Sequence, residues 1–121
     1  MVLTRVIGHY PDQDRNFMII NCGWTALSLH GSGNCYGKTP GSGYGCIVGH
    51  PELILADMSQ EHGIVKAANP SNKLDFTKYP IGFLLKLKPD HACATCAMHS
   101  VYHIVDENDC VTERWTPVKG W

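Results

Sequence analysis

The stretch GFLLKLKPDHACATCAMHSVYHIVD, Gly82–Asp106, holds the decision between an all-β fold and an α/β one. Its first part alternates, with Phe83, Leu85 and Leu87 set against Lys86 and Lys88, as a half-buried strand does. Its last part, SVYHIVD, is again rich in β-branched and aromatic residues. Between them, two histidines and two cysteines fall within Pro89–His99. A C-x-x-C pair opening a helix after a strand would belong to a βαβ setting and a redox role. The rest of the chain shows almost no helical periodicity, so the segment is read as extended.

Outward from it, CVTERW returns from SVYHIVD as a hairpin whose turn centres on Glu107–Asp109. Upstream, LTRVIGHY and FMIINC flank the turn cluster PDQDRN. CIVGH and LILADMSQ are short strands on either side of PE, HGIVKAA follows, and NPSNKLDFTKYP is a polar connection. About eight short strands with turn signals between them predict an all-β fold. We expect a single compact β-barrel or sandwich-like domain over residues 1–121. His30–Gly45, with six glycines and one proline, reads as a long loop. Its Gly-Lys-Thr lacks the spacing and the following helix of a phosphate-binding loop.

A chain of 121 residues can fill one core but not two. A net charge of -1 leaves no basic footprint, which argues against a nucleic-acid partner. No apolar run approaches the ~20 residues of a membrane span. The opening MVLTRVIGHY is too short and polar for a secretory signal, so a chain complete as it stands is expected to be cytoplasmic. The six cysteines are accordingly expected to be mostly reduced. Cys46 and Cys110 read as small buried strand residues.

On an extended backbone, residues i and i+2 face one way, so His91 and Cys93 would present an imidazole and a thiolate together, with Cys96 facing away. A closed zinc site made of Cys93, Cys96 and two histidines would need two separated ligand pairs, and the chain has one C-x-x-C. The remaining readings are buried structural cysteines beside a core histidine, or an open metal site in which the protein supplies His91 and Cys93 alone.

Taken over its length, the chain resembles the C-terminal domain of the eukaryotic-type, zinc- and pyridoxal-phosphate-dependent D-serine dehydratases. These are relatives of the D-threonine aldolases and of the alanine racemase fold group. Pro89–Cys93 is similar to the family's P-N-H-A-C segment, Tyr102–Asp106 to its YYVVD-type strand, and the end WTPVKGW to W-x-P-x-R-G-W. NCGWTALSLHG, Asn21–Gly31, is similar to D-A-G-W-K-A-L-S, and SQEHG, Ser59–Gly63, to S-x-E-H-G. Asp90 stands for the usual Asn, Asn21 for Asp and Lys119 for Arg.

The resemblance implies that His91 and Cys93 bind zinc beside the pyridoxal phosphate and a small D-amino acid. Hydroxide is a poor leaving group, and a Lewis acid on the β-oxygen would offset the charge that develops as it departs. The aldolases carry H-x-D, whose carboxylate suits harder ions; the thiolate of Cys93 favours zinc and hence the dehydratase. Glu61, His62, Asp90 and Cys96 are candidate neighbours of the site. Asp90 could orient a ligand, His62 could approach the metal or cap a turn, and Cys96 has no assigned role. His99 and His103 read as exposed or packed.

The implied Schiff-base lysine would lie on an N-terminal (β/α)₈ barrel of ~250 residues, and none of the seven lysines here sits in a matching motif. The chain is therefore expected to be a C-terminal domain on its own, without catalytic residues for deamination and inactive unaided. Trp121 would face that barrel or a homodimer partner. The alternative is a stand-alone metal-binding or accessory β module without catalysis.

Overall fold

A computed structural model describes residues 1–12, 14–30 and 44–118. Most of the expected glycine-rich loop, with Cys35, lies outside the described residues, as do Lys119 and Trp121. The elements are β1 (Val2–Asp12), β2 (Arg15–Ile20), β3 (Gly45–Ile47), β4 (Leu53–Met58) and β5 (Gly63–Ala67). A 3-10 turn (Phe76–Lys78) follows, then β6 (Leu84–Pro89), α1 (Ala92–Met98), β7 (Tyr102–Val105) and β8 (Val111–Trp115). The eight strands fulfil the all-β expectation.

Six strands form one sheet in the order β3-β6-β1-β2-β5-β4, with every pair antiparallel. The sheet curls until its edge strands β3 and β4 lie against each other, which makes a nearly closed barrel. Alternation sets the inside: Val2, Thr4 and Val6 of β1 point inward while Leu3, Arg5 and Ile7 point out. Leu85 and Leu87 of β6 are buried as the sequence predicts. Val6, Met18, Ile20, Leu55, Val65, Leu85 and Leu87 make the sealed centre. Each such side chain contributes about 1.5–3 kcal/mol by leaving water. Bulges between Val6 and Gly8 and between Leu55 and Asp57 bend the strands and help the sheet close.

β7 and β8 pair only with each other, around the expected turn, and every residue of β8 is exposed. Lys86 of β6 bonds Asp109 in that turn and so ties the hairpin to the barrel. Trp115 stands on the exposed edge with its indole N–H donating to Glu113.

Two expectations need correction. The segment after β6 is a helix, not a strand, because Ala92, Ala94, Ala97 and Met98 are good helix formers and only Thr95 is β-branched. Cys46 and Cys110 are exposed, not buried. Cys46 lies between the inward Gly45 and Ile47, so the strand's own parity turns it out. Cys110 sits in the β7–β8 turn, where Asp106 accepts its N–H at 2.9 Å. Cys22 is the buried thiol among the described residues.

Candidate functional site

β2 ends at Ile20, and the chain then crosses the open end of the barrel as Asn21–His30. Gly23 permits the crossing: a Cβ there would collide with the Ser59 and Gln60 carbonyls in the β4–β5 turn. The close approach lets Trp24 N–H donate to Ser59 O at 3.0 Å and Thr25 N–H to Gln60 O at 3.1 Å. The turn closes on itself through Ser59 N–H to His62 O, 2.8 Å.

Two of the segments singled out in the sequence thus build one cavity of about 280 Å3, lined by Asn21, Gly23, Thr25, Ala26, Glu61 and His62. Glu61 and His62 are both exposed there. His62 serves the turn through its backbone carbonyl and lines the cavity. Asn21 Oδ1 accepts from Thr4 Oγ1 at 2.9 Å and from Arg5 N–H at 2.7 Å. A carboxylate could accept the same two bonds, so Asn in place of Asp keeps the acceptor and loses a charge.

The third segment packs on the second. Thr95, the buried residue of α1, donates its hydroxyl to Leu27 O, and His99 Nε2 donates to Ala26 O at 2.8 Å. His99 is therefore a packed residue, as expected, and His103 is exposed. Ser28 is buried at φ 133°, a conformation that L residues rarely adopt and that costs about 1–3 kcal/mol. Two residues on, His30 meets His91, with their Nδ1 atoms 3.0 Å apart and ring centroids at 4.7 Å.

His91 is the residue that precedes α1, in extended conformation, and its side chain caps nothing on the helix. With Nδ1 shared with His30, its Nε2 is the nitrogen it can offer to a cation. Cys93 stands in the first turn of α1, and both side chains are exposed. The strand argument for their common face therefore fails; both residues lie at the corner where β6 ends and the helix begins. Cys96 does not face away from Cys93: three apart on a helix, the two are neighbours. Asp90 is exposed, and its N–H donates to Tyr44 O at 3.4 Å. Among the described residues, no three or more His, Cys, Asp or Glu side chains cluster closely enough to hold a metal ion by themselves. Glu61 and His62 thus line the cavity without joining His91 and Cys93 in one ligand set. His30 is the site residue that the sequence reading left in a loop. Its only signal was the S-L-H that ends the crossing segment.

A second cavity, of about 400 Å3, lies at the far end of the β4–β5 pair between Glu52 and Ala67. Beside it Tyr79 donates to Glu52, which holds that carboxyl below its ordinary value, while burial raises the Tyr79 phenol.

Residues 1–105 match the family described as "Putative serine dehydratase domain". The chain belongs to the D-serine dehydratase family. Among relatives, it is 33% identical over 99% of its length to the D-threo-3-hydroxyaspartate dehydratase of Delftia sp. and covers 32% of that protein. It is 30% identical, again over 99% of its length, to the D-serine dehydratase of Dictyostelium discoideum and covers 30% of it. This member of the D-serine dehydratase family therefore spans about a third of the curated relatives it matches. A solved structure of D-threo-3-hydroxyaspartate dehydratase, a histidine-to-alanine variant, superposes on 98% of the chain with a TM-score of 0.79 at 31% identity, covering 31% of that protein. A cysteine-to-alanine variant of the dehydratase, in the metal-free form, has a TM-score of 0.75 at 30% identity, covering 98% of this chain and 32% of that one. One residue separates the two substituted positions.

Proposed function

We propose that this chain is the zinc-bearing C-terminal β domain of a pyridoxal-phosphate-dependent dehydratase acting on D-serine, a D-amino acid with a β-hydroxyl. The observation that carries the reading is the His91–Ala92–Cys93 corner. It is the single His-x-Cys in the chain, it is exposed, and it has the spacing of the pair altered in the D-threo-3-hydroxyaspartate dehydratase. An imidazole nitrogen with a thiolate is a borderline-soft donor set that fits zinc, and two protein donors leave positions for substrate oxygen or water.

When bound, zinc would supply Lewis-acid stabilisation of the departing β-hydroxyl, and pyridoxal phosphate an electron sink for the carbanion at Cα. His91 would offer Nε2 to the metal, with His30 holding its ring through Nδ1, the usual way a metal-ligating imidazole is oriented. Cys93 would give its sulfur. Thr95 and His99 hold α1, and so Cys93, against the crossing segment. Glu61 and His62 border the opening on the other side of that segment, where they can meet the polar end of a substrate. Asp90 places a carboxylate next to His91. A thiolate ligand calls for a reducing compartment, which fits the cytoplasm.

The Schiff-base lysine and most of the pyridoxal phosphate contacts belong, on this reading, to an N-terminal barrel in the two thirds of the relatives that this chain does not span. Chain alone, given D-serine, pyridoxal phosphate and zinc, is expected to form no pyruvate. A chimera joining it to the remaining two thirds of the Delftia dehydratase is expected to form it, and to lose it on Cys93→Ser. Turnover by the chain alone, or a chimera indifferent to Cys93, contradicts the proposal.

A further inference from the structure

The helix that overturned the strand reading also pairs Cys93 with Cys96. We infer that these two form a dithiol site for small disulfides such as glutathione disulfide, and that the internal disulfide it makes withdraws Cys93 from the cation. The second half rests on the metal reading above; the first does not.

Both thiols are free and exposed, and they lie three residues apart on one short helix. Residues so spaced have Cβ atoms roughly 5–6 Å apart. A disulfide needs about 3.5–4.5 Å. The difference closes when the turn tightens toward 3-10 geometry, in which i and i+3 eclipse. The helix is built to allow this at one end. Cys96 O accepts from His99 N–H at 3.2 Å and from Tyr102 O–H at 2.8 Å, so the Cys96 backbone is held. Thr95 is anchored to Leu27 O and His91 O. Cys93 and its neighbour Ala92 are exposed in the first turn, where a small shift disturbs no buried packing.

The chemistry balances as an exchange. The Cys93 thiolate attacks one sulfur of the small disulfide, whose S–S bond breaks to release one small thiolate. The Cys96 thiolate then attacks the Cys93 sulfur of the mixed disulfide, forms the Cys93–Cys96 bond and expels the second small thiol. The protein gives up two protons and two electrons, and the small disulfide takes them as two thiols.

The test uses the chain with Cys35→Ser, Cys46→Ser and Cys110→Ser, its native unfolding midpoint checked first, treated with glutathione disulfide and read by intact mass. The expected product is lighter by two hydrogens and carries no adduct. Adding Cys96→Ser should instead leave a glutathione adduct on Cys93, resolved at least ~tenfold more slowly. Zinc content is measured in parallel, and the oxidised form is expected to hold at least ~tenfold less than the reduced form. If the triple substitution unfolds the chain, fragment-ion mapping of the Cys93–Cys96 bond in the native sequence gives the same readout. Two stable adducts, or no reaction, overturn the dithiol site. Disulfide formation in a chain whose reduced form binds zinc no better than Cys93→Ser overturns the metal reading and keeps the exchange chemistry.

Discussion

Single residues in this chain are set by which side of a surface they fall on more than by their type. The cysteines show it. Cys22, two residues past β2 in the crossing segment, is sealed, and burial pushes its thiol from the ordinary 9.0 up to about 11. The folded protein therefore keeps the proton after the unfolded chain has lost it. This contribution to stability is complete below pH 9.0 and is lost as pH rises toward 11. Alkylation of the native chain at pH 8 is expected to modify Cys46, Cys93, Cys96 and Cys110 and to spare Cys22 until it unfolds, read by mass spectrometry of the labelled peptides. Rapid labelling of Cys22 would contradict its burial. The inward Leu85 and Leu87 were legible because lysines alternate with them, whereas β3 is three residues long and the polar residue of CIVGH, His50, lies past its end. Cysteine's preference for burial then misplaced Cys46.

Among the elements, the strands of the barrel announced themselves by alternation and by the turns between them, and α1 did not. Seven residues are two helical turns, too few to show a period against two flanking strands. The local signal was propensity, in three alanines and a methionine, and the surrounding β pattern outweighed it. What fixes the helix is tertiary. Its buried contact is Thr95, whose hydroxyl satisfies Leu27 O inside the crossing segment. Thr95→Val keeps the shape and strands that carbonyl, so it is expected to destabilise the chain by about 1–3 kcal/mol in urea unfolding. It should also weaken zinc binding, although Thr95 holds no metal. A variant as stable as the native chain would show that the helix is held by something else. The His30–His91 contact was out of reach of the sequence for the same reason: it depends on the turn at Ser28 and on the helix start, 61 residues apart in the two histidines.

At the scale of the molecule, three sequence segments far apart in the chain meet at one end of a barrel. The crossing segment after β2 is the hinge of the arrangement, with the β4–β5 turn on one side and α1 on the other. The family resemblance was legible because the segments keep their order along the chain; the geometry that joins them was not, since it runs through backbone carbonyls that carry no sequence signature. No helix among the described residues is long and apolar enough to cross a membrane. The hairpin β7–β8 remains outside the barrel with Val111 and Trp115 exposed. The central claim is that His91 and Cys93 together hold a divalent cation. It is tested most directly by adding cobalt(II) to the reduced chain and recording the near-ultraviolet absorption. The account predicts a thiolate-to-cobalt charge-transfer band that is lost in Cys93→Ser, strongly weakened in His91→Ala and kept in Cys96→Ser. A band that survives Cys93→Ser, or that never appears in the native chain, would contradict it.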